Sequence, residues 1–397
     1  MYLIDLGYAF VKIIRTREIV VMKDSSRRKV LTKSLQLAVS CTLPVWALTG
    51  VQADEFEDYK AEMNSGLFQV EDEFARYKKA YESAYQQYQQ EISQFWLRPE
   101  YSDKTIWVDY SPEMDVKRVV DFASNEIRIS VQGDKLKDFS PADAWREIRA
   151  TLALDIDAAY EKDPVLEKVV GKVQPNSQRS ILGLEASLAA ELNEKAQLTR
   201  SSGKDGEVLT IVAKLPNNSL AQRAYGYVAE VQKAASRWQV SAPLIMAIMH
   251  TESAFNPMAR SHIPAFGLMQ IVPKSAGRDA SRLVFGRERL LSGVDLFKPE
   301  TNIQMGAAYL HILDKRYLKG ISDAESRKLC VIAAYNTGAG NVAKAFSGTT
   351  SIKKALPLIN RLTSKQVYAH LRSNLKYKEA RHYVKKVTET LPLYSYA

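Results

Sequence analysis

From residue 220 onward, almost every segment of this chain repeats its apolar residues with helical period, and the breaks between segments are short. The periodic stretches are 220–238, 241–253, 273–279, 300–317, 324–335, 340–346, 363–371 and 378–390. Gly, Pro and Asn punctuate them. Such a pattern leaves little room for a sheet and points to a compact helical domain of ordinary size over 216–397. Pro216-Asn217-Asn218-Ser219 marks its start.

The preceding section has a different texture. Residues 54–97 are polar and helical, with Phe74, Tyr81, Tyr88 and Phe95 recurring every seven positions and Tyr77, Tyr85 and Ile92 between them. That aromatic stripe suits core packing, a short coiled coil or a binding face. Thr105–Val108 and Ile127–Val131 read as strands, separated by a turn-rich or short helical piece. Ser140-Pro141-Ala142-Asp143 opens a helix to Leu154, and Val208–Val212 is a third strand. The stretch 175–206 is polar, with loop signals at both ends. Residues 54–215 therefore read as a smaller α+β domain, and the whole chain as mainly α.

Charge divides along the same line. Residues 54–215 carry a net charge of −10 and residues 216–397 a net charge of +15. The basic part favours an anionic partner: nucleic acid, anionic lipid or an acidic polymer such as a cell wall. The five His residues lack metal-site spacing, since His250-Thr251-Glu252 is not His-Glu-x-x-His. With no Gly-rich phosphate loop either, neither a metal nor a nucleotide cofactor is expected.

The first 53 residues read as an export signal. Arg27, Arg28, Lys29 and Lys33 form its basic region, Leu35 to Leu48 its apolar stretch, and Val51-Gln52-Ala53 a cleavage site. Starting at Met22 would give a signal of ordinary length, so residues 1–21 look like an over-long start. Cys41 only weakly matches a lipoprotein box, because the apolar run continues past it; cleavage after Ala53 is the preferred reading. Cys330 is then the single Cys of the mature chain, a buried thiol with no disulfide partner.

One carboxylate stands out. Ser241 and Pro243 open a helix in which Ile245, Ile248, Met249 and Glu252 fall at i, i+3, i+4 and i+7. Glu252 ends that apolar stripe. Desolvation there raises a carboxyl pKa, which suits a general acid. Spacing alone leaves open a helix-end Glu that swings out to solvent.

Three further patterns follow Glu252-Ser253-x-Phe255-Asn256-Pro257 in order. They are Gly267-Leu268-Met269-Gln270, then Ala334-Tyr335-Asn336-x-Gly338-x-Gly340, then Ala380-Arg381-x-Tyr383-Val384. Each alone is weak, but together over 220–390 they resemble the family 1 lytic transglycosylases, whose fold is that of goose-type lysozyme. An acidic domain followed by this one is similar in layout to membrane-bound members.

The resemblance implies a lyase. It implies cleavage of the β-1,4 bond between N-acetylmuramic acid and N-acetylglucosamine in peptidoglycan, leaving a 1,6-anhydro ring. Glu252 matches the single catalytic acid/base, and Tyr383 would hold its carboxyl. Ser253, Met269, Gln270, Tyr335 and Asn336 would bind or orient the sugars. It also implies a periplasmic protein acting on glycan strands rather than nucleic acid, associated with the outer membrane, with cell-wall or divisome proteins as partners through residues 54–215. Ordinary glycosidases need two carboxylates, and no second one belongs to the four patterns. A hydroxyl tethered in the substrate removes the need to position water. A hydrolytic goose-type lysozyme and a non-catalytic peptidoglycan-binding scaffold are the alternatives. Between Pro257 and Gly267 the chain departs from the family pattern with Arg260, His262, Pro264 and Phe266, of which Pro264 and Phe266 would stiffen or crowd the loop.

Overall fold

The computed structural model describes residues 75–170, 175–203, 206–261 and 265–396. They fall within one compact unit, Leu67–Ala397. The expected export signal, its cleavage site, Cys41, His262 and Pro264 lie outside the described residues. As expected, the protein is mainly helical, with one small sheet in its N-terminal part.

Helix α1 spans 75–95. Its stripe is core: Tyr81, Ala84, Tyr88 and Ile92 are buried, while Phe95 at its end is half exposed. Five antiparallel strands follow: β1 Ile106–Tyr110, β2 Val116–Asp121, β3 Glu126–Gln132, β4 Gln197–Gly203 and β5 Gly206–Lys214, in the order β1-β2-β3-β5-β4. The register places Val119 opposite Arg128 and Ile129 opposite Ile211. Ile127, Ile129 and Val131 of β3 turn inward, as a period of two requires. Between β3 and β4, helix α2 (Pro141–Leu152) lays Ile148 and Leu152 into the core behind a Ser140/Asp143 capping box.

Two strands correct the sequence reading. The piece between the first two expected strands is β2, whose Lys117 and Arg118 look unsuited to a central strand. Both are satisfied: Lys117 pairs with Glu100 at 2.7 Å, and Arg118 with Asp109 at 3.0 Å and Glu147 at 2.5 Å. The polar stretch before residue 206 includes β4, an edge strand, where polar residues are tolerated because one side faces water.

The helical part includes α3 Val228–Trp238, α4 Ala242–Ser253, α5 Pro299–Ile312, α6 Ala324–Thr337 and α7 Lys378–Thr390. The expected helix 220–238 is broken at Gly226 and Tyr227, and a further helix, Ile352–Ile359, accommodates Pro357. Helix α4 is not the one-sided amphipath its stripe suggests. Leu244, Ile245, Met246, Ala247, Ile248 and Met249 are all buried, so it runs through the centre of the helical part. Cys330 on α6 is buried and unpaired as expected, and burial pushes its thiol up to about 12.

One hydrophobic core runs through the sheet-bearing and helical parts. Polar contacts join them as well. Arg223, 2% exposed, donates to Phe122 O at 3.0 Å and Asn125 Oδ1 at 3.2 Å. Arg260 pairs with Asp163 at 2.5 Å, with both side chains nearly inaccessible to water. Phe266 packs edge-on against Tyr77 and Tyr81 of α1 and against Phe297.

Candidate active site

Helix α4 delivers Glu252 to the floor of a cleft. Directly after it the chain turns through two left-handed residues that are not glycine, Ala254 (φ 51°) and Phe255 (φ 63°). Such conformations cost roughly 1–2 kcal/mol each and persist only where packing enforces them. Here the Phe255 ring is fully buried, stacked on Tyr227 at 6.3 Å and edge-on to Tyr394 at 5.9 Å. The turn stops α4 at the carboxylate and leaves Glu252 facing open space with only 6% of its surface exposed.

Four elements converge on that carboxyl group. Tyr383 comes from α7 and Tyr335 from α6. The loop through Gly267–Ile271 lies beneath. The fourth is a strap from the N-terminal part: Lys104 Nζ sits 3.7 Å from Glu252 Oε2 and 3.6 Å from Glu379 Oε1. The strap is itself tied down, because Arg260 N donates to Asp103 O at 3.2 Å and Asn256 Nδ2 to Lys104 O at 3.4 Å.

Electrostatically, the site favours a protonated Glu252. Burial raises its pKa and the neighbouring Glu379 adds to that, while Lys104 and the Tyr383 hydroxyl oppose it. Burial, reinforced by the negative charge of Glu252, holds the Tyr383 and Tyr335 phenols well above their ordinary value, so both remain donors. Tyr335 donates to Met269 O at 2.9 Å. The buried Tyr383 hydroxyl interacts with the Glu252 carboxyl without the geometry of a full hydrogen bond. Catalytic hydrogen bonds are commonly loose until substrate closes the site.

The cleft has two arms that share Lys104, Glu252, Ser261 and Glu379. One, of about 470 Å³, is lined by Gln270, Tyr335 and Asn336. The other, of about 820 Å³, runs between the Ser102–Thr105 strap and α7, with Tyr383 on its wall. Of the seven residues expected at the site, Glu252, Tyr383, Gln270, Tyr335 and Asn336 therefore line it.

Ser253 and Met269 do not. Ser253 is fully buried, its hydroxyl 2.8 Å from Leu268 O and 3.0 Å from Met249 O, so it ties the Gly267–Ile271 loop to α4. Met269 is also fully buried and presses on Gly306 of α5, where an added Cβ would stand 2.2 Å from its sulfur. Gln270 keeps one foot in the loop, Nε2 donating to Gly267 O at 3.1 Å, while its Oε1 has no protein partner among the described residues.

Three residues of the site escaped the sequence patterns. Asn302 on α5 is fully buried and clasps the loop: its Oδ1 accepts from Met269 N at 2.8 Å, and its Nδ2 donates to Phe266 O at 2.7 Å and Leu296 O at 2.8 Å. Gly267 (φ 73°) fits there only because it has no Cβ, which would lie 2.3 Å from Asn302 Nδ2 and 2.4 Å from Leu296 O. Lys104 lies far upstream of the patterns. Glu379, which directly precedes the fourth pattern, is a second carboxylate brought to the cleft, largely exposed and held to the same ammonium group.

A family model described as the transglycosylase SLT domain matches residues 230–356. The membrane-bound lytic murein transglycosylase C of Pectobacterium atrosepticum is 39% identical over 233 residues, 58% of this chain and 63% of that protein. The protein of the same name from Histophilus somni is 32% identical over 320 residues, 78% of this chain and 86% of that protein. Among solved structures, the 70 kDa soluble lytic transglycosylase of Escherichia coli is 20% identical, covering 66% of this chain and 36% of that one with a TM-score of 0.36. With one relative aligned across most of both proteins, and the domain match spanning Glu252, Gln270, Tyr335 and Asn336, the chain belongs to the lytic murein transglycosylase family.

Proposed function

We propose that Glu252 performs both proton transfers in a non-hydrolytic cleavage of the bond between N-acetylmuramic acid and N-acetylglucosamine. The observation that carries this reading is a buried carboxyl at the junction of two cleft arms, with its pKa raised by burial. Protonated Glu252 gives its proton to the glycosidic oxygen as the C1–O bond breaks. The carboxylate so formed takes the proton of the muramic acid C6 hydroxyl, and that oxygen bonds to C1, closing the 1,6-anhydro ring. Glu252 ends protonated, ready for another turn. Because the nucleophile is part of the substrate, no second carboxylate has to hold water.

Tyr383 acts as the holder of the Glu252 carboxyl. Tyr335 keeps the Gly267–Ile271 loop in place through Met269 O, and Gln270 and Asn336 supply polar contacts to the glycan. Glu379 is the carboxylate that a hydrolytic mechanism would recruit, but its exposure and its pairing with Lys104 suit a countercharge better. We place the protein in the periplasm, associated with the outer membrane. The relatives that match it are named membrane-bound, and among the described residues no helix is long and apolar enough to cross a membrane. Export is assigned to residues 1–53.

Mass spectrometry of products from purified sacculi tests the chemistry. Wild-type protein should release anhydro ends, one water lighter than reducing ends, and Glu252→Gln should release none while keeping its fold. Reducing ends from the wild type, or full activity of Glu252→Gln, would sink the mechanism.

A further inference from the structure

The sheet has a second face, and at one end that face is polar. Along β3, Ile127, Ile129 and Val131 are buried in the core, while Arg128, Ser130 and Gln132 alternate to the other side. The register carries this side across four strands: Lys117 lies opposite Ser130, Ser130 opposite Thr210, and Thr210 opposite Thr199. Two residues along, Gln132 lies opposite Val208 and Val208 opposite Ser201. Strands stand about 4.8 Å apart, so the hydroxyls of Ser130, Thr210 and Thr199 form a row about 10 Å long. The segment from Phe95 to Glu100, at the end of α1, walls the face and leaves a hollow of about 370 Å³. This hollow shares no residue with either arm of the catalytic cleft. Past Phe95, Gln132 and Gly206 it opens into a wider one of about 820 Å³, giving room for a chain molecule rather than a single small ring.

The lining selects the chemistry of the occupant. Its cations are already paired: Lys117 with Glu100 at 2.7 Å, and Arg128 with Glu100 at 2.5 Å and Glu126 at 2.7 Å. In the wider hollow Arg200 pairs with Glu207 at 2.8 Å and Lys137 with Asp134 at 2.6 Å. An ionic ligand gains little there without breaking a pair. What remains is hydrogen-bonding capacity without charge. Ser130 Oγ and Thr210 Oγ1 share one bond at 3.0 Å, and each hydroxyl can make more. Gln132 is anchored through Nε2, which donates to Phe95 O at 2.8 Å and Met114 O at 3.2 Å, leaving Oε1 as an acceptor. The Phe95 ring, 51% exposed, stands where the two hollows meet. Hydroxyls and an amide beside an exposed ring suit a neutral polyol with apolar C–H faces.

We propose that this face is a second saccharide site, remote from the cleft, which holds one stretch of N-acetylated glycan while another is cut at Glu252. That the polyol is peptidoglycan rests on the lyase reading above. Two modest sites on one polymer reinforce each other, because the second binds at the effective concentration set by the first. The sheet-bearing part thus retains the enzyme on long glycan without touching the reacting bond.

The test uses full-length protein carrying Glu252→Gln, which binds sugar without turnover, with the N-acetylglucosamine hexamer and purified sacculi as probes. Calorimetry should resolve two classes of hexamer site, and Ser130→Ala/Thr210→Val should remove one of them. That double change deletes both partners of one hydrogen bond, so no buried group is left unpaired. Its affinity for sacculi, read by co-sedimentation, should fall roughly tenfold, the effect of a lost pair of hydrogen bonds to sugar. Phe95→Ser, at a half-exposed position, should weaken sacculus binding in the same direction. With Glu252 restored, kcat/KM should fall on sacculi and hold at the wild-type value on a soluble tetrasaccharide. A single class of hexamer site, sacculus affinity unchanged in both variants, or an equal loss on tetrasaccharide and sacculi overturns the proposal. Docking of a protein on this face would give the first of these results. Failure of the lyase reading shows separately, as an absence of anhydro ends from the wild type, on which the binding measurements do not depend.

Discussion

Replacing Lys104 with Met should move the pH profile of the enzyme toward alkali. Lys104 Nζ lies 3.7 Å from Glu252 Oε2, and its charge opposes the rise that burial imposes on the Glu252 pKa. At that separation two unit charges attract by about 1.1 kcal/mol at the dielectric constant of water and by about 4.5 kcal/mol at an effective value near 20. The Lys104 side chain is 38% exposed, so solvent screening pulls the result toward the smaller figure. With about 1.4 kcal/mol per pKa unit, the variant's Glu252 should titrate about 0.5–1 unit higher. In the proposed mechanism Glu252 starts the reaction protonated, so kcat/KM should fall as pH rises through its pKa. The alkaline limb of anhydro-end release should therefore shift up by about 0.5–1 pH unit in Lys104→Met and stay in place in Lys104→Arg. Raising the ionic strength should move the wild-type limb in the same direction. A limb that stays put in Lys104→Met, or that moves toward acid, would refute the coupling between strap and carboxyl.

Glu252 should also be felt in stability. Its folded pKa lies above the unfolded value of 4.5, so the native state keeps a proton that the unfolded chain has released. Stability is thus undiminished below pH 4.5 and falls as pH rises from there through the folded pKa. Glu252→Gln should melt higher than wild type at pH 7 and level with it near pH 4, as scanning calorimetry would show; a lower melting temperature at pH 7 would contradict the sign. Asn302→Leu strands Met269 N, Phe266 O and Leu296 O, and should cost on the order of 3 kcal/mol in urea unfolding while lowering kcat through the displaced loop. Asp163→Asn leaves Arg260 buried without its counterion and should cost about 3–5 kcal/mol; an unchanged unfolding midpoint would show that the pair does not hold the two parts together.

What could be read from the sequence was local. Helix α4, its start at Ser241 and Pro243 and its end at Glu252 follow from residues within one stretch of chain, as do α7 and the Gly338 turn. Even there, the apolar stripe on α4 identified a buried face but not the burial of the remaining faces, which depends on elements around it. What could not be read was contributed from a distance. Lys104 reaches the site from 148 positions upstream of Glu252, Asn302 clasps a loop some 33 positions earlier, and β2 carries charges that look like a turn until Glu100, Asp109 and Glu147 are found beside them. None of these has a pattern of its own.

The loop after Pro257 shows how a local irregularity can mark a distant contact. Arg260 and Phe266 depart from the family pattern, and Phe266 by itself suggests a stiffened or crowded loop. The structure buries both side chains. Arg260 is 2% exposed and paired with Asp163, and Phe266, fully buried, meets Tyr77 and Tyr81 of the α1 stripe. The unexplained aromatic repeat and the unexplained loop residues are thus two sides of one interface. Through Arg260 N and Asp103 O the same interface fixes the strap that carries Lys104. Residues that broke a local rule in the loop satisfy a packing requirement on α1, and the position of a charge beside Glu252 follows from that packing.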